Sequence, residues 1–203
     1  MDQVLDRMIR YMPDASKRVM TAEDVETGEE RVVHVDKPFT GFVFKTVLDP
    51  FAGKQSFVRV FSGELKEGDK LLNMNQGVEE KWGKMYTLIG KQQVLVTEAR
   101  AGDIVVIPKL AVTKTGDTFA TPAFKVKYRQ IRFPQPLHTV AMVPEKKGEE
   151  EKLASALQRI SEEDPTCVVV KDVEGRQMQV RCMGEVHLDH ILTKMERKYG
   201  VKS

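Results

Sequence analysis

The sequence is short of cysteine, of long apolar runs and of net charge. Only two of its 203 residues are cysteine, Cys167 and Cys182. Two cysteines that far apart make neither a disulfide framework nor a CxxC pair, which excludes a small stapled secreted fold and points to a reduced, cytoplasmic chain. No tract approaches the ~18 apolar residues of a membrane span, so no membrane partner is expected. The start, Met1-Asp2-Gln3-Val4, is acidic and amphipathic, unlike a secretory signal.

Recognisable catalytic motifs are missing too. Gly83 and Gly90, before Lys91, stand two residues too far apart for GxxxxGK[ST], and no Ser or Thr follows the lysine. Neither GxSxG nor HExxH occurs. Residues 133–203 contain no asparagine, which disfavours an acylphosphatase-like enzyme needing a paired Arg and Asn. No catalytic residue is assigned.

The small net charge of +2 conceals an uneven distribution. Residues 1–36 hold 5 basic and 9 acidic side chains, net −4, and residues 137–203 hold 11 and 12, net −1. Residues 37–136 hold 16 basic and 9 acidic, net +7. A basic middle fits a polyanion partner, and equally a solvated lysine-rich surface. Within it, Lys125, Lys127 and Arg129 alternate with Val126 and Tyr128 at strand period. That spacing places the cations on one face, suited to phosphate-backbone contact more than base stacking.

Periodicity divides the chain. Val4, Leu5, Met8, Ile9 and Met12 repeat at helical spacing up to Pro13, and nothing local would bury that stripe. Residues 14–36 read as a polar linker feeding a strand near Arg31–Val35. Strand-like runs follow at Phe42–Leu48, Phe57–Phe61, Val94–Thr97 and Ile104–Ile107, punctuated by Asp49-Pro50, Ser62-Gly63 and three Gly-Asp pairs at 68–69, 102–103 and 116–117. Short strands at this spacing predict a β-barrel.

After Phe133-Pro134-Gln135-Pro136 the order becomes strand (Leu137–Val143), helix (Glu149–Ser161), hairpin (Thr166–Lys171 and Gln177–Arg181 across 173–175), helix (Gly184–Tyr199). This is the split β-α-β order of a ferredoxin-like α/β sandwich, truncated before its last strand. His187 and His190, with Glu185, Asp189 and Cys182 near in sequence, offer metal-ligating residue types without the Cys spacing of a zinc site, so no metal is assigned. Cys167 and Cys182 fall in adjacent predicted strands, where they suit apolar filling.

Several motifs together resemble one family. Pro38–Thr46 (PFTGFVFKT), Asp49-Pro50-Phe51-Ala52-Gly53, Arg59–Asp69 (RVFSGELKEGD), Ala101–Ile104 (AGDI) and Thr115–Thr118 (TGDT) resemble the second domain of bacterial elongation factor G. Phe133–Pro136, Glu162–Thr166 (EEDPT) and Met183–Asp189 (MGEVHLD) resemble its third domain. The loop Leu88–Gln93, the pair Arg181-Cys182 in place of Ser-Gly, and Val186 in place of Leu depart from the housekeeping factor, and point to a paralogous branch.

The resemblance implies a translation-factor-type β-barrel at 31–132 and an incomplete ferredoxin-like domain at 133–203. Residues 1–30 would be the terminal helix of a missing GTP-binding domain plus a linker. It implies a fragment of a ribosomal translocase, without cofactor in this chain, whose parent is a GTPase using GTP and Mg²⁺. Partners would be the ribosome, through small-subunit rRNA and proteins, and the GTP-binding domain. Candidate RNA contacts are Lys54, Arg59, Lys125, Lys127 and Arg129. Gly184, Glu185, Val186, His187 and Leu188 match the stretch where the family's domains meet and fusidic acid binds. The alternatives are a free-standing RNA-binding or ribosome-associated module, or a paralogue acting in ribosome recycling or regulation.

Overall fold

The computed structural model describes residues 2–49, 51–90, 92–172 and 177–203. Pro50, Lys91 and the expected turn at 173–175 lie outside the described residues. Two compact units cluster separately: residues 2–45 with 54–130, and residues 46–53 with 131–203.

The first unit opens with α1 (Asp2–Tyr11), none of whose residues is buried, so its apolar stripe is left in solvent, Ile9 being 82% exposed. A single 3-10 turn, Ala15–Lys17, leads to β1 (Met20–Asp24) and β2 (Glu30–Val33). β2 is the strand expected near Arg31–Val35, whereas β1 stands where a linker was expected. The hairpin turns where the Asp24 carboxylate accepts the N–H groups of Glu26 and Thr27 and Gly28 takes φ +71°.

The strands that follow are β3 (Thr40–Asp49), β4 (Gly53–Ser62), β5 (Glu64–Lys66), β6 (Leu71–Asn73), β7 (Val78–Glu80), β8 (Met85–Ile89), β9 (Gln92–Val96), β10 (Glu98–Arg100), β11 (Ile104–Pro108), β12 (Thr118–Ala120) and β13 (Val126–Lys127). Eight of them form one sheet in the order β7-β6-β12-β3-β4-β11-β8-β9, and β5 pairs with β10 in a separate ribbon. Val43, Val58, Val60, Leu65, Leu71, Met85, Ala99, Val105, Ile107 and Phe119 share one core, so sheet and ribbon wrap the same interior as a barrel. The third sheet, β13-β1-β2, contributes a smaller cluster of Ala22, Val33, Val126 and Tyr128 with Phe42 of β3 and, partly buried, Phe61 of β4. Residues 40–43 are consequently buried on both faces, with Phe42 in one cluster and Val43 in the other.

All three Gly-Asp pairs build the same turn. The carboxylates of Asp69, Asp103 and Asp117 accept the N–H of the residue three positions back, Lys66, Arg100 and Lys114, at 2.7–2.8 Å. The backbone N–H of each aspartate returns a bond to the carbonyl of that same residue. The glycines take φ of +94°, +104° and +95°, a region open to glycine because it lacks Cβ.

The second unit is β14 (His138–Met142), α2 (Glu150–Glu163), β15 (Val168–Asp172), β16 (Gln177–Cys182) and α3 (Glu185–Tyr199). Its sheet runs β14-β16-β15, all antiparallel. Leu153, Ala156, Leu157 and Ile160 of α2 and Ile191 and Met195 of α3 form one core with Val180, Cys167 and Cys182. The helices lie where the sequence places them, because their apolar residues recur at three and four positions.

Candidate functional site

Two groups of residues carry the functional question, one in each unit. In the first, Lys54 is the second residue of β4 and Arg59 stands further along the same strand, opposite Ile104 of β11. Both are half-buried, and among the described residues neither has an ion pair. Lys125 differs: its Nζ lies 2.9 Å from Glu26 Oε1, so an acid of the β1–β2 hairpin already partners it. The sequence could not foresee this, since the two stand 99 positions apart. Lys127, opposite Glu23 in the β1–β13 ladder, and exposed Arg129 line an open cleft of about 400 Å³ with Thr21, Glu23 and Glu30. Of the five candidate cations, Lys54 and Arg59 lie on β4 of the eight-stranded sheet, Lys127 lies on β13 of the three-stranded sheet, and Lys125 and Arg129 flank β13.

In the second unit the turn into α3 is built around His187. Its Nδ1 accepts the Met183 N–H at 3.2 Å, and its Nε2 lies 3.0 Å from Asp164 Oδ2. With Nδ1 used as acceptor, the proton of the neutral ring sits on Nε2 and is donated to Asp164. Burial pushes the Asp164 carboxyl up, but the Thr166 hydroxyl and N–H and the His187 ring outweigh it, and its pKa falls below 3.8. Leu188 packs against the core, while Glu185 is exposed in the first helical turn, where an acid complements the helix dipole. Val186, 85% exposed, is the most exposed apolar side chain of this turn, ahead of Met183. Gly184 has extended backbone at φ 162°, and a methyl carbon at its Cβ position would meet nothing within 4 Å, so the turn does not require glycine there.

The metal-ligating residue types are not gathered. Cys182 is fully buried with its thiol 3.6 Å from the Gly184 carbonyl, Asp189 and His190 are exposed, and His187 is engaged with Asp164. Among the described residues no three His, Cys, Asp or Glu side chains converge.

Sequence reasoning missed Glu163. Its carboxylate, 5% exposed, lies 2.6 Å from both Lys194 Nζ and Lys198 Nζ of α3 and accepts the N–H of Leu48, whose segment belongs to this unit. Burial pushes its pKa up, and the two lysines and the Leu48 N–H bring it below 4.5. The i, i+4 lysine pair was visible in the sequence, but its partner was not.

Residues 38–122 match the family model "Elongation factor G domain 2", and residues 133–203 match "Elongation Factor G, domain III". The chain belongs to the elongation factor G family. The elongation factor G of Paracoccus denitrificans (strain Pd 1222) is 38% identical over 174 residues, covering 86% of this chain and 25% of that protein. A solved structure from Thermus thermophilus matches with a TM-score of 0.76 at 26% identity, over 98% of this chain and 28% of that one. The chain thus spans about a quarter of the length of the curated elongation factor G it matches. Both matched domains agree with the expected barrel and ferredoxin-like order. No helix among the described residues is long and apolar enough to cross a membrane.

Proposed function

We propose that this chain serves as the second and third domains of a ribosomal translocase of the elongation factor G type, acting in the cytoplasm. In this reading the barrel rests on small-subunit ribosomal RNA, and the third domain couples the GTP state of another domain of the parent to ribosome movement. One observation carries the RNA reading: within the net +7 stretch, Lys54, Arg59, Lys127 and Arg129 have no ion pair among the described residues. Cations outside ion pairs are the ones available to phosphates, whose neutralisation dominates such affinity. Lys54 and Arg59 are freer than Lys127 and Arg129, which share their cleft with Glu23 and Glu30. Lys125, held by Glu26, contributes less.

GTP and Mg²⁺ would be bound elsewhere in the parent. Gly83 lies between β7 and β8 and Gly90 follows β8 with φ +62°, and neither leads into a helix. A phosphate cradle needs backbone N–H groups at a helix start, which these glycines do not supply. Saturable GTP binding by this chain at low micromolar concentration would contradict this.

The test is binding of the chain to small-subunit ribosomal RNA across a potassium chloride series. The expected result is a linear fall of log affinity with log salt, and a slope reduced by about one in Arg59→Ala. A flat salt profile would remove the phosphate-contact reading.

A further inference from the structure

Lys109 is the only non-glycine residue with positive φ among the described residues, at +62°. In that left-handed region the Cβ crowds the following carbonyl, and residues other than glycine, asparagine and aspartate are disfavoured. The surroundings hold it there from every side. Its N–H donates to the Lys54 carbonyl at 2.7 Å, continuing the β4–β11 ladder beyond the Pro108–Gln55 pair. Leu110, next in the chain, is buried in the barrel core at 1% exposure. The Glu80 carboxylate then accepts the N–H groups of Ala111, Val112 and Thr113 at 3.1, 3.0 and 2.9 Å and the Thr113 hydroxyl at 2.8 Å. A backbone this constrained cannot relax to suit its side chain. Glycine would meet the conformation with no steric penalty, yet a lysine stands here.

The side chain itself is unsupported. Lys109 is exposed and, like Lys54 on the strand its backbone bonds to, has no ion pair among the described residues. An unfavourable backbone conformation that persists, with a side chain in no ion pair or hydrogen bond among the described residues, points to a role outside the fold. We infer that Lys109 is a phosphate-contacting residue of the barrel, forming with Lys54 a two-lysine clamp on the backbone of a structured RNA. This rests on the reading of the barrel as an RNA-contacting surface and adds to it a residue outside the strand alternation at Lys125–Arg129. Lys109 lies in the loop after β11, far in sequence from the Lys125–Arg129 alternation.

Two substitutions separate charge from strain. Lys109→Gly removes both, and Lys109→Gln removes the charge alone. Binding of the full chain to small-subunit ribosomal RNA is followed by filter retention from 50 to 300 mM salt, roughly the range where counterion release dominates. Thermal unfolding is measured in parallel. Both variants should lose affinity several-fold at low salt, with the salt slope reduced by about one. Only Lys109→Gly should gain thermal stability, by about 2–4 °C, since relief of the left-handed strain is partly offset by glycine's greater unfolded-state freedom. Wild-type affinity in both variants would overturn the clamp while leaving the RNA reading intact, provided Arg59→Ala still weakens binding. Absence of salt-dependent RNA binding by the wild type would overturn both. Equal binding to polyglutamate would assign a generic acidic partner and overturn the RNA clamp.

Discussion

His187 and Asp164 close a bridge between the C-terminal end of α2 and the N-terminal end of α3. The histidine Nε2 and the aspartate Oδ2 are 3.0 Å apart, and the Met183 N–H occupies the other ring nitrogen. Both nitrogens being used, the ring is fixed, and the turn carries Val186 outward as its most exposed apolar residue. His187 thus acts as a strut for the surface beside it.

Asp164→Asn should lower stability by about 1 kcal/mol at neutral pH, the scale of a partly exposed hydrogen bond to a charged group. The native carboxyl titrates below 3.8, so its contribution is present above that value and is lost as pH falls through the lowered native pKa. Urea unfolding at pH 7 and pH 3 checks this. The gap between wild type and variant should be full at the first pH and narrowed at the second. A gap that widens with acid would refute the assigned direction.

Removing the Glu163 carboxylate strands two lysines and one backbone N–H. Glu163→Ala should cost about 3 kcal/mol, and Lys198→Ala less, because Lys194 still pairs with the acid. A double-mutant cycle between the two positions should show a coupling of at least ~0.5 kcal/mol. Strict additivity would mean the contact contributes nothing.

Two glycines should respond oppositely to a methyl group. At Gly63, φ +63°, a Cβ would fall 2.5 Å from the Phe39 nitrogen and 2.7 Å from the Lys37 carbonyl oxygen. Gly63→Ala should therefore abolish folding or lower Tm by more than about 10 °C, being both clashing and left-handed. At Gly184 the same atom meets nothing within 4 Å and the backbone is extended. Gly184→Ala should leave Tm within a few degrees, although the glycine belongs to the family-like stretch.

Neither thiol should react in the folded chain. Cys167 and Cys182 are fully buried, and burial pushes the Cys167 thiol up to about 12. Ellman's reagent at pH 8 should label fewer than one thiol in the native chain and two after urea unfolding. Rapid native labelling would show that the α2–α3 core opens.

Much of the architecture was legible because it is local. Helical spacing located α2 and α3, alternation separated Val126 and Tyr128 from Lys125 and Lys127, and the Gly-Asp pairs announced three identical turns. The strand expected near Arg31–Val35 is present as β2, but its hairpin partner β1 escaped because the segment is polar. The hairpin's few inward residues, Met20, Ala22 and Val33, make no periodic signal, and it is held by pairing with Val126–Lys127, about a hundred positions later.

The candidate site divides along the same line. Residue types and motif order determined the family, the basic middle and the strand and helix segments, since each is a property of neighbours in the chain. Only the tertiary structure decided which charges are free. It gave Lys125 to Glu26, drew Lys194, Lys198 and the Leu48 N–H onto Glu163, set His187 against Asp164, and forced Lys109 into a left-handed turn. Pairing and strain depend on which atoms meet across long loops, and that distance is not written in sequence spacing.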